Sequence, residues 1–331
     1  MGAYSQPAGL AAWLMRLFAV LLALLAVPLA SAADAPAAKP PGDKVADYWR
    51  EVRQGVPGLS QVKGAETGVL INSEGQQWRE QRNGPIKKYG ATILLAMLGV
   101  IALFYLIKGQ MKLSAPRTGR KMQRFSSFER FAHWGTAVTF LLMGLTGLGI
   151  LFGRTVLGPL LGSEGLGGLL ALGKLIHNYL GPVFLFFTIL LIGAFLRDNV
   201  WQKCDAIWIF KAGGLFSKSG HVPSGRFNFG EKTWFWLGVT FLGLFVAGTG
   251  LILDFPALMG RTRDLMQNLV LLHAIGAVVL LTLSFGHIYM GTIGVEGALE
   301  SMKTGEVDET WAKEHHELWY DDVKAGKSGH P

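Results

Sequence analysis

His273 and His287 stand fourteen residues apart in one apolar stretch, Leu269 to Gly291. As a helix, that stretch is long enough to span a bilayer. Fourteen helical residues rise about 21 Å and end about 40° short of a whole number of turns. Both imidazoles therefore face roughly one way, at two depths. Ionisable side chains are costly inside hydrocarbon and need a reason to be there. The chemistry that suits them is axial ligation of iron in two haems, one near each membrane surface. The competing reading is a pair of histidines that only hydrogen-bond to neighbouring helices.

Composition supports a membrane setting. Of 331 residues, 50% are hydrophobic and only 16% are charged, with a mean hydropathy of +0.33. The net charge of +8 does not point to nucleic acid, because the basic residues cluster in short segments between apolar spans. Cys204 is the only cysteine. An internal disulfide, a four-cysteine iron–sulfur site and a Cys-x-x-Cys-His haem attachment are all excluded. A haem here would be held by packing and histidine alone, and an iron–sulfur cluster would belong to another subunit.

The positions that surround the histidines are set by a run of spans. Residues 1–32 read as a signal peptide, with Arg16, an apolar run from Leu17 to Leu29, and Ala30-Ser31-Ala32 as a cleavage site before Ala33. The alternative is an uncleaved anchor. Residues 33–88 form a polar segment expected outside the membrane, and 89–108 an extra transmembrane helix. Four further spans lie near residues 131–153, 175–196, 234–255 and 267–292, within a four-helix bundle covering 124–293. Residues 294–331 read as a polar, partly helical tail. Lys108, Lys112, Arg117, Arg120, Lys121 and Arg124 crowd one connection; Arg197, Lys203, Lys211, Lys218, Arg226 and Lys232 fill another. The positive-inside rule puts those connections and the C-terminal tail in the cytoplasm, and the mature N-terminus outside.

This topology pairs the histidines. His133 starts its span from the inside; His177 starts its span from the outside. His273 lies at the outer level and His287 at the inner one. The pairs are then His177 with His273 outside and His133 with His287 inside, as two bis-histidine b haems require. Zinc or non-haem iron would want carboxylates or thiolates, which the spans almost lack. Gly144, Gly147, Gly149, Gly238, Gly243, Gly248, Gly250, Gly276 and Gly286 could clear room for a macrocycle or serve ordinary helix packing. Pro182 should bend the span that carries His177. Arg130 and Lys232 are candidates to neutralise haem propionates, although positive-inside charge explains both. His315 and His316 lie in a charged stretch and read as a solvated or docking surface.

Several strings carry a resemblance: Arg130-Phe-Ala-His133-Trp134, Leu175-Ile-His177-Asn-Tyr-Leu-Gly181, Arg226-Phe-Asn228-Phe-Gly230-Glu231-Lys232, Leu272-His273-Ala274, His287-Ile-Tyr-Met290, and residues 311–320 of the tail. Over residues 124 to 323 the chain resembles the gamma subunit, a cytochrome b, of membrane-bound formate dehydrogenases. The resemblance implies a bacterial inner-membrane subunit with two haem b, using the four histidines in the pairs above. It implies an iron–sulfur beta subunit as electron donor and a periplasmic molybdenum or tungsten alpha subunit that oxidises formate. It further implies a quinone acceptor near the cytoplasmic face, in a pocket mapping onto Asn228, Gly230 and Glu231. Glutamine is the family's residue where this chain has Glu231. The plainer reading of these residues is that Asn228 caps a helix and Glu231 is its first-turn carboxylate.

Two rivals remain at this level. The cytochrome b subunit of a nickel–iron hydrogenase shares the plan, and only the strings separate it. A haemless anchor or transporter would place polar residues and broken helices near mid-membrane, whereas here they lie at two depths near the surfaces.

Overall fold

The computed structural model describes residues 73–214, 222–259 and 262–327. The expected signal peptide and the polar segment as far as residue 72 lie outside the described residues. Almost all that is described belongs to one compact unit, Gln77–Arg261 with Leu265–Pro331, and that unit is the subject below.

Five helices among the described residues are long and apolar enough to cross a membrane: Gly75–Lys108, Ser127–Val156, Gly158–Phe195, Phe229–Asp254 and Arg263–Gly294. The first is built from α1 (Ser73–Gln81), a π turn at Arg82–Ile86 and α2 (Lys87–Lys108). Helix therefore occupies 73–88, which the sequence assigns to the outer polar segment; Pro85 is absorbed in the π turn. Gly109, at φ 66°, ends α2 by returning its N–H to the Tyr105 carbonyl. α3 (Ser127–Val156) opens on a capping box in which Ser126 and Glu129 satisfy each other's backbone N–H. In α4 (Gly158–Phe195) the backbone leaves helical geometry at Gly162, and Pro182 lies within the helix. α5 (Lys203–Phe210) is a short helix in the connection. α6 (Phe229–Thr233) runs on through a π segment, Trp234–Gly243, into α7 (Leu244–Asp254). α8 (Arg263–Tyr289) ends in a π turn at Met290–Gly294.

The bundle is held by small residues set against rings and branched chains. A Cβ on Gly135 of α3 would fall 2.2 Å from the Phe187 ring of α4. Gly144 lies against Leu281, Gly243 against Thr188, and Gly276 against Phe245 and Val246. These glycines serve helix packing. Leu94 of α2, Leu151 of α3 and Val278 of α8 form one buried cluster, with Gly90 at the α2–α8 contact. The additional helix is thus docked on the four that follow it. Leu95, Leu98, Leu106, Leu141, Leu145 and Phe241 remain exposed, as side chains facing hydrocarbon do.

Residues 294–327 are folded and do not form a loose tail. Strand β1 (Lys121–Gln123) pairs antiparallel with β2 (Glu306–Asp308), Met122 opposite Val307. α9 (Ala298–Thr304), α10 (Glu309–His315) and α11 (Glu317–Lys324) surround this pair. Met122, Val307, Trp311, Ala312 and Trp319 make a shared core. Gly305, at φ 88°, brings its carbonyl to the N–H groups of Arg124 and Phe125. Any Cβ there would lie 2.6 Å from the Phe125 carbonyl oxygen, so glycine is needed for both reasons.

Two buried arginines tie this segment to the helix ends. Arg124 Nη2 donates to the Arg226 carbonyl, to Glu231 Oε1 and to His316 Nε2, each at 3.0 Å. Its guanidinium lies over Phe125 and Trp311, 4.7 and 4.8 Å from their ring centres. Arg226 pairs with Glu129 and Asp198. The expectation of a solvated His316 fails: it is 1% exposed. Since an arginine can only donate, His316 Nε2 accepts, and its Nδ1–H donates to the Gly225 carbonyl at 2.8 Å. Burial first, and Arg124 second, push its pKa down to about 3. The unfolded chain would protonate this imidazole near 6.5 while the folded one does not. Its contribution is therefore complete above about 6.5 and drains away as pH falls toward 3, by at most about 1.4 kcal/mol per pH unit. Thermal unfolding between pH 7 and 4 is expected to be steeper in pH for the parent than for His316→Asn. Equal slopes would contradict the buried neutral imidazole.

Candidate functional site

The four histidines come together in the two pairs that the topology implies. His177 of α4 and His273 of α8 have ring centres 6.1 Å apart. His133 of α3 and His287 of α8 have ring centres 6.3 Å apart. Because His273 and His287 share α8, the two pairs are separated by about 21 Å of helix rise.

The pair His177 and His273 is oriented by two matching steps, on α3 and α7. Thr146 Oγ1 on α3 donates to the Leu142 and Met143 carbonyls, and His177 Nδ1 lies 2.9 Å from that oxygen. Thr249 Oγ1 on α7 donates to the Phe245 and Val246 carbonyls, and His273 Nδ1 lies 3.1 Å from it. Each hydroxyl proton is committed to its own helix, so each oxygen is left as an acceptor. The Val246 carbonyl also accepts from His273, at 3.1 Å. Both imidazoles thus carry hydrogen on Nδ1 and present the Nε2 lone pair. The next residue is glycine in both cases: Gly147 is 3.2 Å from His177 Cε1 and Gly250 is 3.1 Å from His273 Cε1, measured from a Cβ position.

The pair His133 and His287 is built differently. Trp234 stacks on His287 with ring centres 4.8 Å apart and planes at 13°. The π segment carries this tryptophan, and Gly238 makes room for it: a Cβ there would lie 2.3 Å from the Trp234 ring. His133 Nδ1 is buried with no partner among the described residues. Thr146, Thr249 and Trp234 were not picked out in the sequence. The signal for the first two was a repeated Thr-Gly-Leu at 146–148 and 249–251, two poor helix formers mid-span.

These residues fit a haem by several tests. An imidazole nitrogen sits about 2.0 Å from a metal that it ligates, so two imidazoles gripping one metal from opposite sides have ring centres about 6 Å apart. Both separations meet that requirement. Gly149, Gly248 and Gly286 would point a Cβ into open space with no atom within 4 Å, which leaves room beside backbone. No three metal-binding side chains converge among the described residues, so each set offers two donors and suits a metal whose other positions a macrocycle supplies.

Asn228, Gly230 and Glu231 form the start of α6. Asn228 Oδ1 accepts from the Glu231 N–H at 3.0 Å, and Glu231 Oε2 accepts from the Asn228 N–H at 2.9 Å. Glu231 Oε1 meets Arg124, and the side chain keeps about a third of its surface exposed. Gly230 lies against Trp208, which with Trp201 packs on Phe229. The plainer capping role is therefore present in full. Lys232 is 1% exposed and pairs with Asp205 at 2.8 Å, so its charge is already answered and a propionate role is not supported. Arg130 donates to the Lys303 carbonyl and to Ser127.

The fold and these histidine pairs define a multi-pass membrane protein with the donor sets of a cytochrome b. Residues 124–305 match the model for prokaryotic cytochrome b561; the chain belongs to that family. It is similar to the formate dehydrogenase cytochrome b556(fdo) subunit of Escherichia coli (strain K12), 29% identical over 202 residues, covering 61% of this chain and 92% of that protein. The nitrate-inducible formate dehydrogenase cytochrome b556(Fdn) subunit of the same strain is 24% identical over 208 residues, 62% of this chain and 93% of the relative. A formate dehydrogenase cytochrome b556 subunit of Haemophilus influenzae (strain ATCC 51907 / DSM 11121 / KW20 / Rd) is 27% identical over 196 residues, 58% and 79%. Membership of a cytochrome b family leaves the haemless anchor or transporter without support.

Proposed function

We propose that this chain is the membrane cytochrome b subunit of a formate dehydrogenase, with its mature N-terminus periplasmic and its C-terminus cytoplasmic in a bacterial inner membrane. It takes electrons from a periplasmic iron–sulfur subunit, fed by a molybdenum or tungsten subunit that oxidises formate, and passes them to a quinone at the cytoplasmic side. The observation that carries this reading is the two histidine pairs at two depths, each with ring centres about 6 Å apart. His177 and His273 would hold the outer b haem, and His133 and His287 the inner one. Bound haem supplies one-electron transfer. The names of the relatives favour formate over hydrogen as the donor's substrate.

The chain's own residues do the rest. The apolar spans exclude water, and the imidazoles of His177 with His273 and of His133 with His287 would hold the iron. Asn228, Gly230 and Glu231 stand at the start of α6, three to six residues before the Trp234 that stacks on His287. In this reading they face the quinone, with Asn228 as hydrogen-bond partner and Glu231 as proton donor from the cytoplasm. Formate-driven haem reduction and quinone turnover in Asn228→Ala and Glu231→Ala test it. Haem reduction should be unchanged while quinone turnover falls by 10-fold or more, on the order of a lost general acid. Parental turnover in both variants would leave these residues with capping alone, worth about 1 kcal/mol.

A further inference from the structure

The matching steps at Thr146-Gly147 and Thr249-Gly250 point beyond ligation. Within the outer pair, a threonine hydroxyl oxygen accepts from Nδ1–H of each imidazole, at 2.9 Å for His177 and 3.1 Å for His273, and the Val246 carbonyl accepts from His273 as well. Within the inner pair, His133 Nδ1 is buried without a partner among the described residues, and His287 is held by the face of Trp234. A hydrogen bond from the free ring N–H raises the basicity of an imidazole ligand. A more basic ligand favours the ferric over the ferrous state and so lowers the reduction potential.

We propose that Thr146 and Thr249 are positioning residues that set the outer haem at a lower midpoint potential than the inner one. This rests on the haem ligation proposed above. The asymmetry gives electron movement from outside to inside a downhill direction, built by hydroxyls on α3 and α7 that do not touch iron. The glycine after each threonine belongs to the device, because a Cβ there would stand 3.2 Å from His177 Cε1 or 3.1 Å from His273 Cε1 and crowd the ring.

Redox titration of the purified chain, followed by the haem absorbance and by low-spin ferric resonance, tests the proposal. The parent should give two midpoints. Thr146→Val and Thr249→Val keep the branched shape and remove the oxygen. Each should raise the lower midpoint and leave the higher one in place, and the double variant should narrow the gap further. The ferric resonance of the same haem should shift with it. Thr146→Ser and Thr249→Ser restore a hydroxyl and should return both readouts toward the parent. If both haems are bound and neither midpoint moves in the double valine variant, the proposal is overturned while ligation stands. Movement of the higher midpoint alone overturns it as well. Absence of any b-type spectrum in the parent would instead overturn the ligation on which it rests.

Discussion

His177→Ala is expected to leave the chain with one b haem in place of two. The outer site would keep only His273, whose ring centre lies 6.1 Å from that of the lost partner. One axial imidazole holds the macrocycle far less firmly than two, so the outer haem should be lost or turn high-spin. The inner pair lies about 21 Å further along α8, so its low-spin signal should survive. Formate added to the full complex should then reduce neither the outer haem nor, at the parental rate, the inner one. His273→Ala should behave alike, whereas His133→Ala should spare the outer signal. Two low-spin haems fully reducible by formate in His177→Ala would show the pairing to be wrong.

Arg226→Met is expected to cause the largest loss of stability outside the helices. Arg226 is 7% exposed at its side chain and pairs with Glu129 and Asp198, themselves at 10% and 16%. Removing it leaves two carboxylates without a cation where water hardly reaches, at a cost of about 3–5 kcal/mol. The arginine joins the start of α3, the end of α4 and the approach to α6, and Arg124 carries the link on to His316. The C-terminal segment should therefore become sensitive to protease together with the drop in unfolding midpoint. Adding Glu129→Gln and Asp198→Asn to Arg226→Met should recover much of the loss. A change below about 1 kcal/mol, the value of an exposed pair, would contradict the buried network.

What could be read from residue order alone follows from how far each interaction reaches. The depths of His133, His177, His273 and His287 depend on span boundaries and loop charge, both local, and the structure brings the pairs together as topology implies. The hydroxyls beside the outer pair were not legible. Whether Thr146 meets His177 depends on how far α3 and α4 rotate against each other, which periodicity does not encode. The burial of His316 is hidden from the sequence for a related reason. Its neighbours in sequence are charged, and only the pairing of β1 with β2, 183 residues apart at Gln123 and Glu306, brings Arg124 over it. Lys232 likewise looked like a surface cation until Asp205, a partner on a separate helix, closed over it.

The central claim is that two histidine pairs hold two b haems in one chain. A pyridine haemochrome assay on the purified subunit, set against polypeptide concentration from amino-acid analysis, tests it most directly. The account predicts about two haems per chain, all b-type, as two bis-histidine sites require. A ratio near one, or none, would contradict it.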